Sequence, residues 1–478
     1  MLDVIIKGGK VVTPSGAGMW DVGIQGEKIV LVSAPGTISV EAKKTIDATG
    51  KIVVPGGIEA HDHVGHPVTG PGPAPAGVNA GPAEQSLGAI WGGTTTIVDF
   101  TPCPDTGDVV KGVRAYLDDW KGKAYTDYSS HVTYRGTSTP EHMAQIKDLI
   151  AEGFTSIKIF TTSVRPPVPD RPFNNKTDMG RLAAVMTECA KHGGVVAVHA
   201  EDDDIVMYNY ARAKDNGQMD WWNMHLVHSN LSEDLSFRRV ARLAQQTGAG
   251  MYFVHVSAKE GVNAIADYRS QGVPVYGETL NTYCSFNADN YKEPDGMKYH
   301  TYPSLKFEDD RLRLWDGLLH GDLTWMATDS IATTYANKII GRKIDDVQGG
   351  NIGLEIRMGI TYKEGVVDKG MSLERYVDIT STNIAKVLGF YPQKGVIAVG
   401  SDADICIIDP SIKKKLDKSD LHLQDYSSWE GHNIAGWPVT VLLRGNVMLE
   451  DRKLLGKPTV GKLSPRKIHP LYLKQPAC

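Results

Sequence analysis

Thr94-Thr95-Thr96-Ile97-Val98-Asp99-Phe100 is a β-branched, apolar run of strand length, and the chain after it keeps a regular rhythm. An amphipathic stretch at Val109 to Trp120 leads to a second such run at Ser129 to Tyr134, and another at Glu141 to Ala151 leads to Thr155 to Phe160. Short runs rich in Val, Ile and Thr read as buried strands, and the stretches between them read as helices. The same alternation extends outward. Val195 to His199, Met251 to Val256, Val273 to Gly277 and Leu323 to Ala327 follow, and Ile52 to Val54 precedes, making eight strands in all. Leu182, Val185, Met186 and Cys189 repeat at helical spacing, as do Phe237, Val240, Ala241 and Ala244. Eight such units over residues 51–394 predict an α/β fold, a (β/α)8 TIM-like barrel, with an open doubly wound sheet as the alternative.

The two ends of the chain read differently. Val4 to Lys7, Lys10 to Val12, Trp20 to Gln25 and Ile29 to Val32 are short strands punctuated by Gly8-Gly9 and Pro14-Ser15-Gly16. Similar strands return at Asp404 to Ile408, Val439 to Arg444 and Asn446 to Leu449. Residues 1–50 and 395–455 are therefore expected to form one small β-sandwich domain. Residues 456–478, with Pro458, Pro465, Pro470 and Pro476, read as an extended C-terminal arm. Residues 201–230, which carry Trp221-Trp222, read as an insertion after a strand, with a solvated acidic run, Glu201 to Asp204, opening a helix.

Composition narrows the function. The 478 residues carry 51 Lys and Arg against 56 Asp and Glu, a formal net charge of −5, with 41% hydrophobic residues. This is a globular balance without the basic footprint of a nucleic-acid binder, so a small-molecule partner is expected. Five scattered cysteines with no C-x-x-C spacing fit a reducing compartment and core or surface thiols. The longest uncharged stretch, residues 63–83, is broken by five prolines and five glycines, so no membrane span is expected. The first residues lack a basic segment ahead of an apolar run, which makes the cytoplasm the expected location. Neither G-x-x-x-x-G-K-S/T nor a helix-opening G-x-G-x-x-G occurs.

Chemistry gathers at the expected strand ends. The first strand runs into Glu59-Ala60-His61-Asp62-His63, the fifth ends at His199, the sixth delivers His255, and the eighth leads to Asp329. His61 and His63, two apart on extended chain, face the same way and suit one divalent ion. Taken singly, a strand-end histidine is more often hydrogen-bonded than ligating, and Asp329 alone could be a helix cap. Their shared register on successive strands favours a metal site for the set. Lys158 lies inside the apolar run Thr155 to Phe160, where an amine must be paired, neutralised or modified.

These stretches carry a resemblance. Pro55-Gly56-Gly57-Ile58-Glu59-Ala60-His61-Asp62-His63, Gly93 to Phe100, Ile157-Lys158-Ile159-Phe160, Val198-His199-Ala200-Glu201, His255-Val256-Ser257 and the run Gly395 to Asp404 resemble the dihydropyrimidinase/hydantoinase family of the amidohydrolase superfamily. The resemblance extends from Asp3 to about residue 450. It implies two divalent metal ions, zinc first with manganese or cobalt as alternatives, and a CO2-derived carboxylate on Lys158 bridging them. His61, His63 and Asp329 would complete one ion's shell, and His199 and His255 the other's. A bridging hydroxide would attack the substrate carbonyl, and Asp329 would carry its proton to the leaving nitrogen. The resemblance also implies a homo-oligomer, a tetramer or dimer, with the arm packed across subunits.

The match breaks around the substrate. Ser163 stands where cyclic-amide hydrolases carry an oxyanion-binding tyrosine, Tyr302 stands where a substrate-binding serine is expected, and Asp329 is followed by Ser330-Ile331-Ala332 in place of His-Cys-Pro. Ser163, Tyr302 and His66 are the candidate substrate residues, although plain loop placement competes for His66. Glu278 reads as a structural, hydrogen-bonding carboxylate. The expected activity is hydrolysis of a cyclic ureide or amide of the hydantoin or dihydropyrimidine kind. A linear urea, carbamate or thiocarbamate is the alternative substrate, and an inactive dihydropyrimidinase-related scaffold the alternative of another class.

Overall fold

The computed structural model describes residues 1–68, 75–167 and 175–478, so part of the uncharged stretch at 63–83 lies outside them. Gly57–Asp62, Thr94–Pro102, Asp127–Thr133, Ser156–Phe160, Val195–His199, Gly250–Phe253, Val275–Leu280 and Trp325–Ala327 pair in sequence order as an eight-stranded parallel sheet. The last strand comes back to the first. Asp62 bridges Ser330 in parallel, and the His63 amide donates to the Ser330 carbonyl at 2.9 Å, so the sheet is a nearly closed barrel. Helices cover its outside. Met179–His192 buries Leu182, Val185, Met186 and Cys189, is capped by Asp178 and ends at a left-handed Gly193. Asn230–Thr247 buries Phe237, Val240, Ala241 and Ala244 and is capped by Ser229. The stripes at helical spacing are the faces that seal the barrel.

Both ends of the chain enter one nine-stranded mixed sheet. Leu2–Thr13 pairs antiparallel with Gly16–Gln25 and parallel with Ala42–Asp47, while Ile405–Lys415 pairs antiparallel with Asn433–Leu443. Val4, Ile6, Val22, Ile24, Ile405 and Leu442 share its core.

Ile52 to Val54, expected as the first barrel strand, belongs instead to this mixed sheet. Ile52–Pro55 joins Lys10 and Val11 on one side and Ile405 to Ile408 on the other, and so stitches the N-terminal strands to the C-terminal ones. The chain crosses into the barrel at Gly56-Gly57, where a Cβ on Gly56 would collide with the Thr95 side chain. The first barrel strand is therefore Gly57–Asp62. This register carries His61 to the strand end and His63 just past it.

The C-terminal arm lies against its own barrel. The Ser464 amide donates to the Tyr128 carbonyl at 2.8 Å, and the Tyr276 hydroxyl to the Tyr472 carbonyl at 2.6 Å. A short helix, Pro470–Lys474, interrupts the extended course. No helix among the described residues is long and apolar enough to cross a membrane. All five cysteines are free thiols, four of them buried.

Candidate metal centre

Strand order decides which side chains meet. His61 and His63, on the first strand and its exit, come from neighbours of the eighth, so both face Asp329. Asp329 Oδ1 lies 3.2 Å from His61 Nε2 and 3.0 Å from His63 Nε2, and ligand atoms of all three residues fall within 4.8 Å of one another. The other His61 nitrogen, Nδ1, is 2.6 Å from Glu278 on the seventh strand. Glu278 is itself fixed by the Trp325 indole at 2.9 Å. That bond sets the tautomer that turns Nε2 toward Asp329. Below this level, Glu59 accepts from the His61 and Thr328 amides and lies 3.1 Å from buried Arg357, which ties the two strand ends together.

Four imidazoles line the mouth in a row. The His63 and His61 ring centres are 5.4 Å apart, His61 and His255 5.4 Å, and His255 and His199 4.4 Å. His255 and Asp329, just past their strands, both adopt left-handed backbone, with φ of 41° and 50°. Such strain in non-glycine residues persists where the surroundings over-determine the geometry.

Lys158 sits on the fourth strand, 1% exposed. Its ammonium lies 5.0 Å from the Phe100 ring centre and 4.8 Å from that of Phe160. Burial pushes its pKa down to about 7 against the pull of Asp329 and Glu278. At neutral pH much of this amine is therefore uncharged and nucleophilic.

The charges around the centre form a cation trap. Burial opposes a proton on His61, yet Asp329 and Glu278 on either side hold its pKa up at about 9. Burial lowers His63 to about 4 and drives His255 well below the usual imidazole range. Burial favours a neutral carboxyl at Asp329, but His61 and His63 hold it well below the carboxylate range. An ionised carboxylate beside neutral His63, with His61 carrying a proton that a cation in the same place would displace, is the donor set that zinc and neighbouring divalent ions take, so the residues fit the expected metal.

The acidic run after His199 departs from the sequence expectation. Glu201 is buried, not solvated, and bridges His199 Nε2 and His228 Nδ1, each at 2.8 Å. Burial would raise its pKa, but His228 and His199 hold it far below the ordinary range. With Nε2 of His199 occupied, Nδ1 is the nitrogen left for an ion. Asp202 caps the helix Asp203–Asp215, and Asp203 accepts from the Ser163 amide, Thr162 and Lys176. Only Asp204 is fully in solvent. His228 escaped the sequence reading because it lies far from His199 in the chain. Glu201, two residues past a ligand candidate, was within reach of the same spacing logic.

Of the substrate candidates, His66 adjoins the centre directly, while Tyr302 connects to it through His228 and Glu201. Ser163 is half-buried on the loop after the Lys158 strand. The Tyr302 ring lies 5.2 Å from His228 and 4.7 Å from His300, and its hydroxyl donates to the Val347 carbonyl. His66 stands edge-on to His63 at 5.2 Å, with Nε2 3.2 Å from the Tyr116 hydroxyl and 3.6 Å from Asp99.

A second buried carboxylate group, Asp127, Asp402 and Asp404, also has metal-like spacing, but the Lys394 ammonium occupies it at 2.7, 3.1 and 2.7 Å respectively. It is an ion-pair knot between the barrel and the mixed sheet.

Comparison with known proteins agrees with this arrangement. Residues 52–448 match the amidohydrolase family. The chain is 34% identical to a D-hydantoinase of Streptomyces coelicolor across 97% of both chains, and 33% identical to a D-hydantoinase of Rhizobium radiobacter across 98% of this chain and 99% of that one. The crystal structure of dihydropyrimidinase from Brevibacillus agri NCHU1002 superposes with a TM-score of 0.89 at 30% identity, covering 98% of this chain and 99% of that one. The chain belongs to the amidohydrolase family.

Proposed function

We propose that this enzyme hydrolyses a C–N bond of a cyclic ureide or amide, of the hydantoin or dihydropyrimidine type, with two divalent ions and a CO2-derived carboxylate on Lys158. The observation that carries the reading is the row of four imidazoles and Asp329 near one buried lysine, at the strand ends of a barrel. The relatives named above as hydantoinases and a dihydropyrimidinase support the ring-opening class.

His61, His63 and Asp329 would hold one ion, His199 and His255 the other, and the modified Lys158 would lie between them. Ions held there supply Lewis acidity, lowering the pKa of water and polarising a carbonyl. The protein does the rest. Glu278 and Glu201 fix the ring orientations of His61 and His199, so the donors need not reorganise. Asp329 accepts a proton at its carboxylate and delivers it to the departing nitrogen, which leaves poorly unless protonated. Phe100 and Phe160 keep water from the flanks of Lys158. The enzyme is further read as cytoplasmic and homo-oligomeric, which sedimentation of the pure protein checks for its oligomeric part.

Protein prepared with zinc and bicarbonate should open hydantoin, dihydrouracil or a cyclic imide. The same chemistry on a linear urea, carbamate or thiocarbamate is favoured by one observation, the replacement of both expected substrate-contacting groups by Ser163 and Tyr302. Intact rings alongside turnover of a phenylurea or an open-chain carbamate would overturn the cyclic assignment. Negligible metal uptake would overturn the enzyme reading in favour of a scaffold.

A further inference from the structure

Arg165 sits on the loop that leaves the Lys158 strand, two residues past Ser163, and its guanidinium lies 6.0 Å from the ring centre of Tyr302. It thus joins the two loops whose sequences depart from the hydantoinase pattern. Its Nη1 is buried and has no hydrogen-bond partner among the described residues. Two buried or half-buried acids of this region are already engaged, Asp203 by Lys176, Thr162 and the Ser163 amide and Glu201 by His199 and His228. Among the described residues no carboxylate forms an ion pair with Arg165, Asp345 and Asp346 near Tyr302 included. An arginine donor that is desolvated and unmatched is costly, and a site keeps one where a ligand supplies the acceptor.

The loop is built to hold that side chain. Val164, immediately before it, is β-branched yet has a φ of 68°, a strained left-handed conformation. The turn is pinned by the Ser163 amide on Asp203 at 2.9 Å and by the Val164 amide on Thr162 Oγ1 at 3.1 Å. Two further buried lysines, Lys306 and Lys338, lie beside the backbone of His228 and His300, whose rings pack on Tyr302. Lys306 donates to the His228 and Ser304 carbonyls, and Lys338 to those of His300, Gln348 and Gly350. With three acceptors each inside the protein, neither offers a donor to a ligand. His300, stacked edge-on against Tyr302, has neither ring nitrogen hydrogen-bonded among the described residues.

We propose that Arg165 anchors a carboxylate carried by the substrate, so that the preferred substrate is an anionic ureide or amide rather than a neutral or purely hydrophobic one. A planar guanidinium matches a planar carboxylate through paired N–H donors. A phosphate would call for several reachable cations, and here the two lysines are spent on carbonyls. The inference rests on the amidohydrolase reading of the site and names the substrate class for it.

The test compares hydantoin bearing a 5-carboxymethyl group with its 5-carbamoylmethyl isostere, together with their ring-opened products, N-carbamoylaspartate and N-carbamoylasparagine. Wild-type protein should favour the acid by about tenfold to a hundredfold in kcat/KM, the range of one charge-assisted contact. Calorimetry should show the same preference between the two products. R165Q should bring both ratios close to one, and R165K should keep part of the preference, because it retains the charge but not the fork. Equal handling of acid and amide by the wild type, or an unchanged preference in R165Q, overturns the assignment. If neither ring is opened, the ring-opening reading fails, and the product isotherms still decide the role of Arg165.

Discussion

Two buried lysines in this molecule have opposite fates. Lys394 lies among Asp127, Asp402 and Asp404, whose oxygens hold its pKa above the usual lysine range in spite of burial. Lys158 lies between two phenylalanine rings and a row of histidines, and burial takes its pKa down to about 7. Burial is the first influence on both, and the immediate neighbours decide the outcome. Three carboxylates make a lysine a permanent cation and a structural rivet. Burial between aromatic faces, with no carboxylate in an ion pair with it among the described residues, makes it an amine free to react with CO2.

Exchanging these roles gives the largest expected effects. Lys158→Ala should take turnover to background and weaken metal retention, with partial recovery on adding short carboxylic acids if a carboxylate is what the ions need; assays with and without propionate check this. Asp329→Asn should lower kcat by about 10²–10⁴-fold while the fold survives, because an amide cannot carry the proton. Glu278→Gln should weaken metal affinity by about 10–100-fold, since it loosens the bond that orients His61. Titration against a chelator reads that change.

The pH dependence separates the two lysines directly. Reconstitution of stripped protein needs the neutral amine, so its rate at fixed dissolved CO2 should rise about tenfold from pH 6 to pH 8 and then level off, as follows from a pKa of about 7. A lysine near its ordinary value of about 10.4 would give roughly a hundredfold rise over that interval and go on rising. The smallest effect on the site is expected from Lys394→Met. Removing the ammonium leaves three buried carboxylates uncompensated and should cost about 3–5 kcal/mol of stability in denaturant titrations. Metal bound per folded chain should stay the same.

The same contrast marks what the sequence could show. The barrel was legible because β-branched runs and helical stripes repeat at regular intervals, the placement of His61, His63, His199, His255 and Asp329 at or just past strand ends because they share a register, and the burial of Lys158 because it interrupts an apolar strand. Ile52 to Val54 misled because an apolar run before Pro55-Gly56-Gly57 looks the same in either sheet, and the break that decides the matter lies after it. Glu201 looked solvated because three aspartates follow it, whereas His228, distant in sequence, turns it inward. Lys394 and its three acids come from segments up to 277 residues apart, from Asp127 to Asp404, so no local pattern could announce the knot. The Arg165 and Tyr302 pairing was hidden for the same reason.

The central claim is that Lys158 is a reactive amine converted into an anionic bridge. Diffraction at the zinc absorption edge, on crystals of protein prepared with zinc and bicarbonate, tests it most directly. The account predicts two anomalous peaks, one beside His61, His63 and Asp329 and one beside His199 and His255, joined by density extending from the Lys158 nitrogen. A bare Lys158 amine with no ion on either side would contradict it.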